Sequence, residues 1–219
     1  MAWNPAHHPR DRYGRFTRSY TRKLNAADIG GARAAMSGFK PTKFKDNNAA
    51  VEFLNQRRPS LDSNVEDAVD RYTGDGFLEL NKALRGGDTS HPDVERMDAA
   101  FTPTDSDLVV TRTVGMEAFG SVNVEELAGM KMTDAAYAST SLGAPHSSLA
   151  GVTMHIAVPK GTPAIYASAI SRNVTEAEMI LPRGTSMAVT RVVPRTVNGQ
   201  VLKGLYDMYM VVLPSDDAG

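Results

Sequence analysis

The sequence contains no cysteine, which removes disulfides and thiolate metal sites from consideration. No apolar run approaches the roughly 18 residues of a spanning helix, and the opening MAWNPAHHPRDRYGRF lacks the apolar centre of a secretory signal. Neither a membrane partner nor the ordinary secretory route is therefore expected. A G-x-G-x-x-G fingerprint is missing, so nothing supports a Rossmann-type dinucleotide site. The five histidines (His7, His8, His91, His146 and His155) have no metal-ligand spacing, and no metal is expected. His155, inside VTMHIAV, reads as an edge or packed histidine, and Met208 and Met210 as residues of the core.

What remains is the balance of an ordinary globular chain, 42% hydrophobic and 22% charged over 219 residues, enough to bury a core without staples. The net charge of −1 hides an asymmetry. Residues 1–45 carry ten Lys and Arg against Asp11 and Asp28, a net +8, while the remainder carries 14 basic and 23 acidic groups, a net −9. A basic arm on an acidic body fits nucleic acid, an acidic protein surface or the body itself, and it also fits a solvated tail. Within it, GGARAAMSGFKPTKFKDNN (30–48) reads as a linker.

From about Asn47 the pattern turns helical. Apolar residues recur at three- and four-residue spacing through NNAAVEFLNQRRP, SLDSNVEDAVDRYTG, DGFLELNKALRGG and HPDVERMDAAF, each stretch punctuated by Pro or Gly. The period then changes. DLVVTRTV (107–114), AAYASTSL (135–142), GVTMHIAVP (151–159), PAIYAS (163–168), AEMILP (177–182), TSMAVTRVVP (185–194) and LKGLYDMYMVVLP (202–214) read as short strands. Helices first and strands after predict an α+β domain.

Three stretches carry residues that packing alone does not explain. Arg112 lies inside an apolar strand, where a permanently charged guanidinium needs a carboxylate, an anion or solvent; a structural ion pair and an anion clamp both fit. Ser139, Thr140 and Ser141 sit mid-strand, with Ser139 and Ser141 on one face and Thr140 on the other. In TEAEMILPRGT, a strand would aim Glu176 and Glu178 at one cavity, and like charges held close raise each other's pKa. A solvated turn is the plain reading of that pair, and a functional site the other.

An Arg in the first strand, Ser-Thr-Ser in a later one and Glu-x-Glu beyond it resemble the Arg–Ser–Glu class of mono-ADP-ribosyltransferases, the bacterial exoenzymes and the catalytic components of binary toxins. YTGDGFLELNKALRGG (72–87), VPKGTPAIYASAIS and EAEMILPRGTSMAV extend the resemblance over about Asn47 to Pro214. It implies a two-sheet β core with N-terminal helices packed on it, a catalytic domain at 46–219 behind the arm at 1–45, and NAD as co-substrate. Arg112 would hold the NAD phosphates bidentately. Ser139 would brace the nicotinamide pocket and the catalytic glutamate, with Thr140 and Ser141 shaping the same strand. Glu178 would be the catalytic acid, strengthening its hold on the ribose 2′-OH as positive charge develops there. Glu176 would face the acceptor, and its being Glu rather than Gln implies an arginine, whose guanidinium stays protonated below a pKa of about 12 until a neighbouring carboxylate helps remove the proton.

The sequence departs from the pattern in three places. LGAPHSSLA (142–150) lacks the aromatic that often stacks on nicotinamide, so that either Tyr166 or Tyr137 would substitute or donor binding would be weak; Thr113 follows Arg112 where Gly is usual; and Arg172 is either a phosphate contact or a solvated loop residue. WNPAHHPRDRYGRFTRSY is similar to the short arms of tailed-phage head and morphogenesis proteins, and its Trp3, Tyr13, Phe16 and Tyr20 interleave with basic residues. That similarity implies a phage-encoded transferase, carried in the virion and acting on a protein in the bacterial cytoplasm, with the arm on a capsid protein or nucleic acid. The rival readings are a virion structural or packaging protein with an inactive transferase fold, and a transferase that modifies nucleic acid.

Overall fold

The structure, a computed structural model, describes residues 21–120, 122–143, 151–171 and 175–214. The aromatic-basic part of the arm, residues 1–20, and Arg172 and His146 lie outside the described residues. The rest of the expected arm and linker is partly regular: Thr21–Lys23 forms strand β1 and Ala26–Met36 helix α1. Sequence periodicity misses α1 because Gly30 and Gly31 interrupt it and it carries little apolar stripe. Its start is fixed instead by a capping box, in which Asn25 accepts from the Asp28 N–H and Asp28 accepts from the Asn25 N–H. The buried Asp28 carboxylate also takes two bonds from Arg22 and lies 3.4 Å from Lys131 Nζ, tying the helix to the sheet.

The four helices read from the sequence are present as α2 (Asn47–Asn55), α3 (Ser63–Arg71), α4 (Phe77–Gly86) and α5 (Pro92–Ala99). Asp46, Asp62 and His91 cap three of them with side-chain acceptors. Gly87, at φ 90°, closes α4 in the left-handed conformation that favours glycine. A wide turn over Tyr72–Gly76 joins α3 to α4. Among the described residues no helix is long and apolar enough to cross a membrane.

The strands are β2 (Thr102–Pro103), β3 (Leu108–Val114), β4 (Met130–Thr133), β5 (Ala138–Ser141), β6 (Val152–Val158), β7 (Pro163–Tyr166), β8 (Glu178–Leu181), β9 (Ser186–Val197) and β10 (Gln200–Val212). Their order is β1-β4-β9-β10-β6-β3-β5-β8-β7-β2, antiparallel except at β10–β6. The expected two-sheet core takes the form of two halves of one sheet. Six strands from β1 to β3 and four from β5 to β2 meet through a single register pair, Thr111 with Ser141.

The larger core lies against both halves and contains Leu108, Ile156, Met208, Met210, Met179 and Leu54. A second core joins α3, α4 and α5 to the four-strand half through Val69, Tyr72, Leu84, Met97, Tyr137 and Ile180. The alternation of β8 decides this division, since Met179 enters one core and Ile180 the other. Glu178 therefore shares the face of Ile180 and Tyr72. His155 is not at an edge: β6 has neighbours on both sides, and the ring stacks on Tyr209 and bonds Asp207 at 3.1 Å.

Candidate active site

The junction of the two halves is where the sequence-predicted residues converge. Opposite Glu178 in the β5–β8 ladder stands Ser141, and Ser139 pairs with Ile180 two positions along, on the same face. Ser139 Oγ donates to Glu178 Oε1 at 2.5 Å, while Arg112 Nη1 reaches across from β3 to donate to the Ser139 carbonyl at 2.7 Å. One serine thus connects the strand arginine to the glutamate, through its hydroxyl on one side and its carbonyl on the other.

Glu178 is only 6% exposed. Burial raises its pKa to about 7, reinforced by the charge of Glu176 and opposed by the Ser139 hydrogen bond and by Arg112. Burial of a carboxyl with a raised pKa makes Glu178 a candidate for chemistry. Tyr72 sits over this cluster. Burial lifts its phenol to about 12, and Arg112 and Glu178 are both near enough to act on it.

Glu176 joins the cluster by a route that strand alternation does not predict. β8 begins at Glu178, and Ala177 before it has φ 46°, the left-handed region, so the period of two stops short of Glu176. The segment is held by its backbone: Thr175 O accepts from Asn47 Nδ2 (2.7 Å), Glu176 O from Ser141 Oγ (2.8 Å) and Ala177 O from Leu142 N (2.9 Å). Thr140 Oγ1 donates to Met179 O at 2.6 Å. The hydroxyl protons of Thr140 and Ser141 are therefore spent on the frame that carries the two glutamates, which makes bracing, rather than direct contact with a cofactor, their visible part.

The two tyrosines expected to replace the nicotinamide-stacking aromatic do not fit that role. Tyr137 is fully buried, stacked on Phe101 with its hydroxyl on Asp98 (2.7 Å), and Tyr166 is 5% exposed within the larger core. Neither offers an open ring face. Residues 144–150 of the segment that departs from the family pattern lie outside the described residues.

Sequence reasoning gives no individual role to four residues found here, Tyr72, Asn81, Arg85 and Asn47. Tyr72 donates to Tyr137 O (3.2 Å) and accepts from Asn81 Nδ2 (3.0 Å), locking the α3–α4 turn to the start of β5. Asn81 Oδ1 and Arg85 Nε, both on α4, are buried without a hydrogen-bond partner among the described residues. Asn47, read only as a helix residue, grips the Glu176 segment. An Asn and an Arg four apart on one helix face are a signal available in NKALR; the tertiary partner of Asn47, 128 residues away, has none.

A two-half sheet under helices, with a buried glutamate, a serine and an arginine at its junction, is the arrangement that the resemblance to ADP-ribosyltransferases leads one to expect. The model of the ADP-ribosyltransferase exoenzyme family matches residues 46–210, and the chain belongs to that family. Among solved structures it is similar to Plx2a, an ADP-ribosyltransferase toxin from Paenibacillus larvae (22% identity, TM-score 0.66, covering 78% of this chain and 99% of that one). It is similar also to the C3 exoenzyme of Clostridium limosum (18% identity, TM-score 0.66, covering 81% of this chain and 99% of that one). At these identities the likeness is one of fold. No curated protein matches the sequence.

Membership makes NAD the substrate, and the residues present fit it. Arg112 spends one N–H on Ser139 O among the described residues, leaving donors of its fork for a phosphate. The unpartnered Asn81 Oδ1 supplies an acceptor of the kind that a ribose hydroxyl would satisfy, while the Arg85 guanidinium faces Asp134 at 3.6 Å.

Proposed function

We propose that the chain transfers ADP-ribose from NAD to an arginine side chain of a protein. The observation that carries this reading is the pair of unlike glutamates: Glu178 buried and held by Ser139, Glu176 on a half-exposed segment beside it. NAD supplies the ADP-ribosyl group and, in nicotinamide, a leaving group that departs neutral with the electron pair of the broken bond. Arg112 holds the diphosphate. Glu178, ionised and fixed by Ser139, accepts a hydrogen bond from a ribose hydroxyl and opposes the positive charge that grows as the bond to nicotinamide weakens. Glu176 aligns the incoming guanidinium and takes its proton as the new carbon–nitrogen bond forms. The basic arm has no part in this chemistry and is proposed only to help choose the protein that is modified.

The test uses radiolabelled NAD with agmatine as a minimal guanidine acceptor, a bacterial lysate as protein acceptor, and nicotinamide release as the measure of hydrolysis. Wild type labels both acceptors; Glu178→Gln loses labelling and hydrolysis together; Glu176→Gln loses labelling and keeps most of the hydrolysis. Label on protein but never on agmatine, mapping to residues other than arginine, would overturn the acceptor assignment. Label recovered on nucleic acid alone would replace it with a nucleic-acid transferase.

A further inference from the structure

We infer that Asn47, at the first turn of α2, is a positioning residue for the acceptor side of the reaction, acting through the segment that carries Glu176. The inference rests on the reading of Glu176 given above and extends it to a residue outside the site motifs.

Thr175, Glu176 and Ala177 present three successive backbone carbonyls, and each is taken by a different donor. Two of the donors, Ser141 Oγ and Leu142 N, belong to the end of β5 and come with the sheet. The third, Asn47 Nδ2, comes from another element and makes the shortest of the three bonds, at 2.7 Å. This grip ties the segment to the helical layer. The other end of the same amide is constrained as well, since a methyl group on Gly143 would collide with Asn47 Oδ1. The side chain is thus wedged between the turn that follows β5 and the segment that precedes β8. Its orientation is determined too: turned over, the amide would set its oxygen against the Thr175 carbonyl.

Asp46 caps α2 through its Oδ1 bond to the Ala49 N–H, so the base from which Asn47 reaches is itself fixed. Glu178 has none of this dependence. It lies in the β8 ladder, paired with Ser141, and its side chain is held by Ser139. The Glu176 segment therefore depends on a side-chain amide clamp that Glu178 does not use, and the clamp can be loosened alone.

Asn47→Ala removes the donor, and Gly143→Ala displaces the same amide from the opposite side. In either variant the rate of agmatine labelling should fall by about tenfold or more, because small misplacements of a catalytic group are costly. Nicotinamide release without acceptor should stay within about twofold of wild type, since Glu178 keeps its place in the ladder and its Ser139 hydrogen bond. The double variant should be no worse than the poorer single one, as both break one contact. Parallel loss of labelling and hydrolysis, or labelling that does not change, would overturn the inference. Should Asn47→Ala fail to fold, Gly143→Ala alone decides it on the same criteria. Glu176→Gln is assayed alongside. If that variant does not separate the two activities, the reading of Glu176 fails; if it does and the Asn47 and Gly143 variants do not, only the role of Asn47 falls.

Discussion

The two halves of the sheet are built in opposite ways. In the six-strand half, β9 and β10 run 12 and 13 residues and pair along most of their length, and β6 meets β3 over seven consecutive positions. The four-strand half has strands of two to four residues and depends on the helical layer for its second face. Yet the short-strand half carries Ser139, Glu178 and the Glu176 segment, and the long-strand half contributes Arg112. A long ladder resists displacement but offers little room to aim a side chain, because pairing dictates every direction. Short strands leave loops close to the chemistry, and packing from α3, α4 and α5 replaces the stiffness that the ladder lacks. In the proposed reaction, binding of an anion by Arg112 would tolerate the rigid position, while handling a ribose and an acceptor would call for the adjustable one.

The largest effect should follow Glu178→Gln, with transfer and hydrolysis both falling by about a thousandfold or more as charge stabilisation at the ribose is lost. The same change should stabilise the fold. A carboxyl whose pKa rises from 4.5 to about 7 on folding binds its proton more tightly in the native state, so stability declines as pH rises between those values. Glutamine avoids that loss, and the variant should gain up to about 3 kcal/mol over wild type at pH 8 and almost nothing at pH 4, read from urea midpoints. A melting difference that does not change with pH would mean that Glu178 is not the buried acid described.

Next in size are the shifts in the pH dependence of hydrolysis. In the proposed mechanism the ionised form of Glu178 acts, so activity should rise with pH through about 7. Ser139→Ala removes the hydrogen bond that favours the charged form and should move that limb to higher pH. Glu176→Gln removes a like charge and should move it lower. Opposite displacements by two residues of the same cluster would sharpen the contrast with the long-strand half, where no substitution apart from one at Arg112 should move the limb.

Much of this is legible in the sequence, and the exceptions share a cause. The helices from Asn47 onward and the buried strands follow from periodicity, because each is encoded within a few residues, and the grouping of Arg112, Ser139 and Glu178 follows from the resemblance of their motifs to those of the family. What stays hidden depends on pairing between distant segments. The row Glu178, Ser141, Thr111, His155, Tyr209 crosses five strands in one register and draws on residues from 111 to 209. The left-handed Ala177 breaks the strand alternation that predicts a shared direction for the glutamates, although both reach one site. Helix α1 reads as linker because its stability comes from a capping box and from Lys131, more than ninety residues downstream, instead of from an apolar stripe. The tyrosines expected at the nicotinamide pocket lie elsewhere for the same reason: a lone aromatic in a short strand does not reveal which core it enters.

The smallest expected effect on activity belongs to the far edge of the long-strand half, and it bears on whether α1 is part of the folded domain or an attachment. Asp28 is held by Arg22 and, through Asn25 and Lys131, by the start of α1 and by β4, all of which outweigh its burial and lower its pKa to about 2. A carboxylate with a depressed pKa contributes stability that is present above its unfolded value near 3.8 and is lost as pH falls towards 2. Asp28→Asn should therefore cost about 1–3 kcal/mol at neutral pH, the usual cost of disabling one partner of a buried polar cluster, and the cost should shrink below pH 3. Hydrolysis and transfer should stay within about twofold of wild type, as nothing in the cluster touches the junction where Ser139 meets Glu178. If urea unfolding of this variant showed full native stability, residues 21–36 would be an appendage resting on the sheet. If instead stability fell while both activities held, the long-strand half would extend to α1, and the division between a half that carries stability and a half that carries chemistry would hold to the edge of the sheet.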